Sequence, residues 1–226
     1  SAQWRQASAY SALIFYCVLF FYCALISCSP PPQDENVFEI TELPRLTKYY
    51  PEINAAGDTT GFHRVPVQSF VNQFGDTFYS NDVNGKISVI HFFFASCEGI
   101  CPVISNNVFD VQRAFKGNDN VKLISYSVDP ERDSVAVLRK YADRFKCDSS
   151  QWNLLTGEKK KIYDLARYGY LLPAIEPGTG DSEDFIHSDQ LVLVDRNSII
   201  RGYYTGTDTS DVRLLIEDIS TLLKEK

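Results

Sequence analysis

The stretch Phe92-Phe93-Phe94-Ala95-Ser96-Cys97-Glu98-Gly99-Ile100-Cys101-Pro102 is an apolar run that ends abruptly in two cysteines, with a proline straight after the second. From Ile87 to Phe94 the chain is short, β-branched and aromatic, which predicts a buried central strand rather than a helix. Beyond Pro102, the spacing of Val103, Ile104, Val108, Phe109, Val111 and Phe115 is helical. Proline fits a first helical turn because it has no N–H to leave unpaired. Cys97 and Cys101 are therefore expected to bracket a strand-to-helix turn, at a rim rather than in the core.

That position has chemical consequences. The free N–H groups and positive dipole end of a helix favour thiolate over thiol, so both sulfurs are expected to be anionic near neutral pH. On a regular helix, Cβ atoms four residues apart are separated by roughly 5–6 Å, wider than the roughly 3.5–4.5 Å of a disulfide. The pair thus reads first as a clamp for a soft metal. A redox couple is the second reading, with closure requiring movement at Glu98-Gly99, where glycine makes rearrangement cheap.

Outward from this turn, Phe62 onward predicts a hairpin in which Val65–Val71 and Thr77–Tyr79 flank Gln73-Phe74-Gly75-Asp76. After the cysteine helix, Val121–Val128 is a second strand. Asp129-Pro130-Glu131-Arg132-Asp133-Ser134 then opens a helix, with Asp133 as the expected N-cap. Trp152–Leu155 reads as a strand, Glu158–Tyr168 as a helix, and Leu172–Asp184 as an aperiodic loop rich in Pro, Gly and acid. Gln190–Val194 and Ile199–Tyr204 form a late hairpin, and Asp211–Lys224 a closing amphipathic helix. The order predicts an α/β fold: a mixed central sheet with helices on both faces and an added N-terminal hairpin. In open α/β sheets ligands gather at the carboxyl ends of the strands, where the cysteines lie.

The N-terminal part has a different character. Ala9–Ile26 is apolar and aromatic after a single charge at Arg5, and Leu25-Ile26-Ser27-Cys28 closes it. This resembles the bacterial lipoprotein signal, in which a cysteine becomes lipid-modified; the alternative is an uncleaved membrane helix with Cys17, Cys23 and Cys28 as incidental small residues. Residues 1–28 are thus expected to be a signal or membrane segment. Residues 29–61 are expected to be a spacer with one loose strand around Val37–Ile40, and 62–226 the folded domain. Either anchor puts the domain on the extracytoplasmic face of the membrane.

Composition narrows the choices. The net charge is −7, with Lys159-Lys160-Lys161 the sole basic cluster, which argues against nucleic acid because phosphate binding needs a positive stripe. Methionine is absent, so a soft-metal site has to use cysteine and histidine. Of the three histidines, His91 is expected to be a core residue bonded to backbone and His63 structural or at the surface. Cys147 is expected to be a free, partly buried thiol.

Four stretches carry a resemblance over Phe62–Glu225. They are Cys97-Glu98-Gly99-Ile100-Cys101-Pro102, Ser127-Val128-Asp129-Pro130-Glu131-Arg132-Asp133, Trp152-Asn153-Leu154-Leu155-Thr156-Gly157, and Asp184-Phe185-Ile186-His187-Ser188. In this order they resemble the SCO (SenC) family of thioredoxin-like copper-binding proteins, which assist assembly of the binuclear copper centre of cytochrome c oxidase. The resemblance implies a thioredoxin-like fold and one copper ion, Cu(I) or Cu(II), held by Cys97, Cys101 and His187. It implies a metallochaperone rather than an enzyme, serving the copper-bearing oxidase subunit or another copper carrier. The alternative is a thiol-disulfide reductase working through Cys97 and Cys101. A peroxiredoxin-like peroxidase is disfavoured because Phe93-Phe94-Ala95-Ser96 precede the first cysteine where such enzymes carry Thr and Pro. The family usually has Pro and Asp between its cysteines where this chain has Glu98 and Gly99, which predicts a looser turn. The loop Leu172–Asp184 is the element expected to bring His187 to the thiols.

Overall fold

The computed structural model describes residues 46–172 and 188–225. The anchor segment with Cys28, the strand expected at Val37–Ile40, and His187 with nearly all of the loop before it lie outside the described residues.

Strand order follows from where the apolar runs fall. Strands β5 (Ile87–Phe93) and β6 (Val121–Ser127) are buried along their whole length and pair in parallel, with β7 (Trp152–Thr156) parallel to β6 on the other side. Runs buried on both faces are what a helix-covered parallel sheet requires. The antiparallel hairpins extend this core. Strand β3 (Ser69–Asn72) joins β7 and carries β4 (Thr77–Tyr79), while β8 (Gln190–Val194) joins β5 and carries β9 (Ile200–Thr205). Among the described residues these make one seven-stranded mixed sheet in the order β4-β3-β7-β6-β5-β8-β9.

Alternation along β5 sends its side chains into two cores. Ile87, Val89 and Phe93 pack with α1 (Ile100–Ala114), α2 (Val135–Arg144) and α4 (Thr209–Leu222). Ile90 and Phe92 pack on the other face with Phe70, Tyr126 and the short α3 (Lys159–Asp164), which passes directly into a π-helical turn at Leu165–Gly169. Helix α1 buries Cys101, Ile104, Val108 and Val111, the spacing of a single stripe. Each fully buried Leu, Ile or Phe contributes on the order of 1.5–3 kcal/mol. Both cores are therefore needed, and β5 is the strand they share.

The stretch before Phe62 is not all spacer. Strands β1 (Pro51–Ile53) and β2 (Thr59–Phe62) form a small exposed hairpin of their own. Just ahead of it the Leu46 carbonyl accepts from the buried Arg201 guanidinium, and the Tyr49 ring meets Tyr203 edge-on. His63 holds this region to the domain, its Nε2 lying 2.9 Å from the Gly169 carbonyl at the end of the π-helical turn.

His91 corrects a second expectation. It is buried in β5, and its Nδ1 hydrogen-bonds the Ser125 hydroxyl at 3.0 Å rather than backbone, while Ser125 also accepts from Trp152 Nε1 at 2.7 Å. Burial pushes its pKa down to about 3. An unfolded histidine titrates near 6.5, so between about 6.5 and 3 the unfolded chain takes a proton that the folded one refuses. The stability this group contributes is complete above 6.5 and is lost as the pH falls, by about 1.4 kcal/mol per pH unit within that window. Urea unfolding at pH 7, 6, 5 and 4 is expected to show a shallower loss in His91→Asn than in the parent. Identical slopes would contradict the buried neutral imidazole.

Candidate metal centre

The cysteines sit where β5 gives way to α1. Pro102 falls in the first turn of α1, and Gly99 is its N-cap. Cys97 therefore lies ahead of the helix and Cys101 within its first turn, so the helical separation expected from their spacing does not apply. The two sulfurs instead meet in a hydrogen bond, and both cysteines are free thiols. The regular-helix spacing therefore no longer ranks a bridging metal above a disulfide.

The two thiols are also unequal. Burial alone would raise Cys97, but the Cys101 thiol and the backbone N–H groups of Cys101, Gly99 and Ile100 all point at its sulfur and together hold its pKa below the ordinary value. These N–H groups belong to the open start of α1, which has no partners of its own to offer them. Cys101 goes the other way. Burial, followed by its hydrogen bond to Cys97 and repulsion from the Cys97 charge, pushes it up to about 12. Only 6% exposed, it belongs to the core with Ile104 and Phe93 rather than to the rim. The two thiols are thus biased in opposite directions, Cys97 towards thiolate and Cys101 towards thiol, where the sequence predicted two alike.

Asp133 also departs from expectation, because it does not cap α2. Ser134 is the N-cap and makes no side-chain capping bond. The Asp133 carboxylate, 1% exposed, accepts from the Ser127 hydroxyl at 2.6 Å and from the Ala95 N–H at 2.9 Å, two residues ahead of Cys97. Burial raises its pKa, opposed by these two hydrogen bonds. Asp129 is likewise buried and faces Arg132 Nε at 2.6 Å. The signal available in sequence was positional: if β6 lies parallel beside β5, residues just after β6 come close to residues just after β5.

Around the turn, Glu98 is exposed and Ile100 and Val103 present apolar side chains to solvent. Cys147 is a half-buried free thiol pushed up to about 12 by burial, as expected of a residue without a site role. His63 is structural, in its contact with the Gly169 carbonyl. Lys159-Lys160-Lys161 opens α3 as a solvated start. Among the described residues no three His, Cys, Asp or Glu side chains converge as a metal cluster. No helix among them is long and apolar enough to cross a membrane.

The chain is similar to several known proteins. The SCO1/SenC family model matches residues 61–224. The SCO1 protein homolog of Bacillus subtilis (strain 168) is 28% identical over 155 residues, covering 68% of this chain and 79% of its own. Among solved structures, a SCO1/SenC family lipoprotein from Bacillus anthracis str. Ames superposes with a TM-score of 0.64 at 29% identity, over 72% of this chain and 96% of that one. BsSco, described as a member of the Sco family of cytochrome c oxidase assembly proteins and as containing a disulfide switch, gives 0.63 at 27%, over 73% and 95%. Bradyrhizobium japonicum ScoI with copper bound shares the fold at a TM-score of 0.58 and 23% identity, over 70% and 99%. With some three-quarters of its length matched by one family model, and with the same thioredoxin-like architecture, this chain belongs to the SCO1/SenC family.

Proposed function

We propose that the protein is a membrane-tethered, extracytoplasmic copper carrier. It takes one copper ion on Cys97, Cys101 and His187 and passes it to the copper-bearing subunit of cytochrome c oxidase during assembly. The observation that carries this reading is the pairing of two free sulfurs at an open helix start, whose N–H groups favour the thiolate form of Cys97. Such a donor set fits a soft ion: thiolates suit Cu(I), and an imidazole lets the same site keep Cu(II). Copper here is cargo, and a site at the mouth of the fold is reachable by the ligands of an acceptor. The tether is assigned to Cys28 as a lipidated residue.

The inequality of the thiols favours a second reading as a thiol-disulfide reductase. In that reaction the Cys97 thiolate attacks one sulfur of a target disulfide and bonds to it while the other target sulfur leaves as thiolate; Cys101, after giving up its proton, then attacks the Cys97 sulfur of this mixed disulfide and expels the remaining target sulfur as thiolate. The products are the Cys97–Cys101 disulfide and two target thiols. His187→Ala separates the two readings. A copper carrier is expected to lose at least about tenfold in copper affinity, since losing even an outer-shell partner of a metal ligand costs about that much. Its exchange rate with a small disulfide should stay within about twofold. Unchanged copper affinity would contradict the three-ligand site.

A further inference from the structure

We infer that Asp133 is the positioning residue of the cysteine turn, acting through the single peptide group that joins Phe94 to Ala95. The inference rests on the reading of Cys97 and Cys101 as the working thiol pair. The N–H of that peptide donates to the Asp133 carboxylate at 2.9 Å, and its C=O accepts from the Cys97 N–H at 3.2 Å. Because a peptide is planar and trans, fixing its N–H fixes the opposite direction of its carbonyl. Asp133 thereby orients the acceptor on which the backbone of Cys97 closes. The N–H of the same Phe94 reaches the Cys101 sulfur, so both thiols depend on how this residue is held.

Asp133 is itself fixed from behind. Its carboxylate oxygen also accepts the Ser127 hydroxyl at 2.6 Å, Ser127 in turn accepts from the Asp129 N–H at 3.1 Å, and the Asp133 N–H donates to the Asp129 carbonyl at 2.8 Å. The end of β6 thus becomes a rigid bracket for the loop that leaves β5, whose own Phe93 carbonyl accepts from Val128 N–H at 2.8 Å. A buried carboxylate is costly unless its hydrogen bonds are made. Neither bond belongs to a helix cap, and one of them goes straight to the loop that carries Cys97.

The reduced turn is the state Asp133 supports, so loosening it is expected to move the pair towards disulfide. The test is the equilibrium of the full-length chain in detergent with glutathione redox buffers. There the two thiols lose two electrons and two protons to form the disulfide, and one oxidised glutathione becomes two reduced ones. Differential alkylation and mass spectrometry of the peptide bearing Cys97 and Cys101 read the fraction oxidised. Asp133→Ala and Ser127→Ala are each expected to raise the oxidation constant about tenfold, equivalent to about 30 mV for a two-electron couple. Asp133→Asn, whose amide oxygen can accept both bonds, is expected to return it to within about threefold of the parent. Should Asp133→Ala fail to fold, Ser127→Ala and Asp133→Asn decide the matter. Alanine variants within twofold of the parent would overturn the inference, as would an Asp133→Asn shift as large as that of Asp133→Ala. A parent pair that neither oxidises nor binds copper would overturn the reading beneath it as well.

Discussion

Iodoacetamide is expected to modify Cys97 at least about 50-fold faster than Cys101 in the reduced chain at neutral pH. Only the thiolate reacts, and with Cys101 pushed up to about 12 while Cys97 sits below the ordinary 9.0, the thiolate fractions differ by about a thousandfold or more. The more basic sulfur is intrinsically the better nucleophile, with a Brønsted slope of about 0.4–0.5. That returns a factor of about 20 to Cys101 and leaves the estimate above. Burial of Cys101 widens the gap further. The measurement is time-resolved alkylation read peptide by peptide, with Cys147 as an internal control that burial also pushes up to about 12. Equal rates at the two cysteines would mean that the N–H groups at the start of α1 do not single out Cys97.

This inequality was not legible in the sequence, and the reason is specific. Spacing alone places Cys97 and Cys101 four residues apart and assigns both to one helix start. The helix in fact begins between them, so one sulfur receives the open N–H groups and the other is carried into the core. What was legible is the turn itself. The apolar run Ile87–Phe94 could end only as a buried strand, and the stripe Ile104, Val108 and Val111 could follow only as a helix packed on it. The strand-helix order and the late hairpin were legible for the same reason, since each depends on local period.

The unread features all depend on which strands become neighbours. Asp133 looked like a helix cap because the residues around it in sequence are a helix start. Only the parallel pairing of β6 with β5 brings it to Ala95. His91 found a side-chain partner in Ser125 because the same register sets the two residues opposite each other. The hairpin Pro51–Phe62 carries few buried apolar residues, so no burial period announces it.

The second large effect concerns the cargo. Cys97→Ser is expected to leave the fold intact, since the side chain is only partly buried at the mouth of the turn. Cys101→Ser replaces a buried sulfur with a buried hydroxyl among apolar side chains. It is expected to lower stability by about 1–3 kcal/mol, in contrast to the rim position expected from sequence. Neither variant keeps two sulfurs, and with no methionine in the chain no thioether can substitute. Each is therefore expected to lose Cu(I) affinity by more than about 100-fold, beyond the 10–100-fold cost of losing an outer-shell partner.

Competition titration of Cu(I) against a chromophoric chelator, on the reduced parent chain and on folded Cys101→Ser verified by circular dichroism, tests the two-sulfur site most directly. The site described above predicts one tightly held Cu(I) per parent chain and none that competes in the variant. A Cys101→Ser chain that held one Cu(I) as tightly as the parent would contradict it.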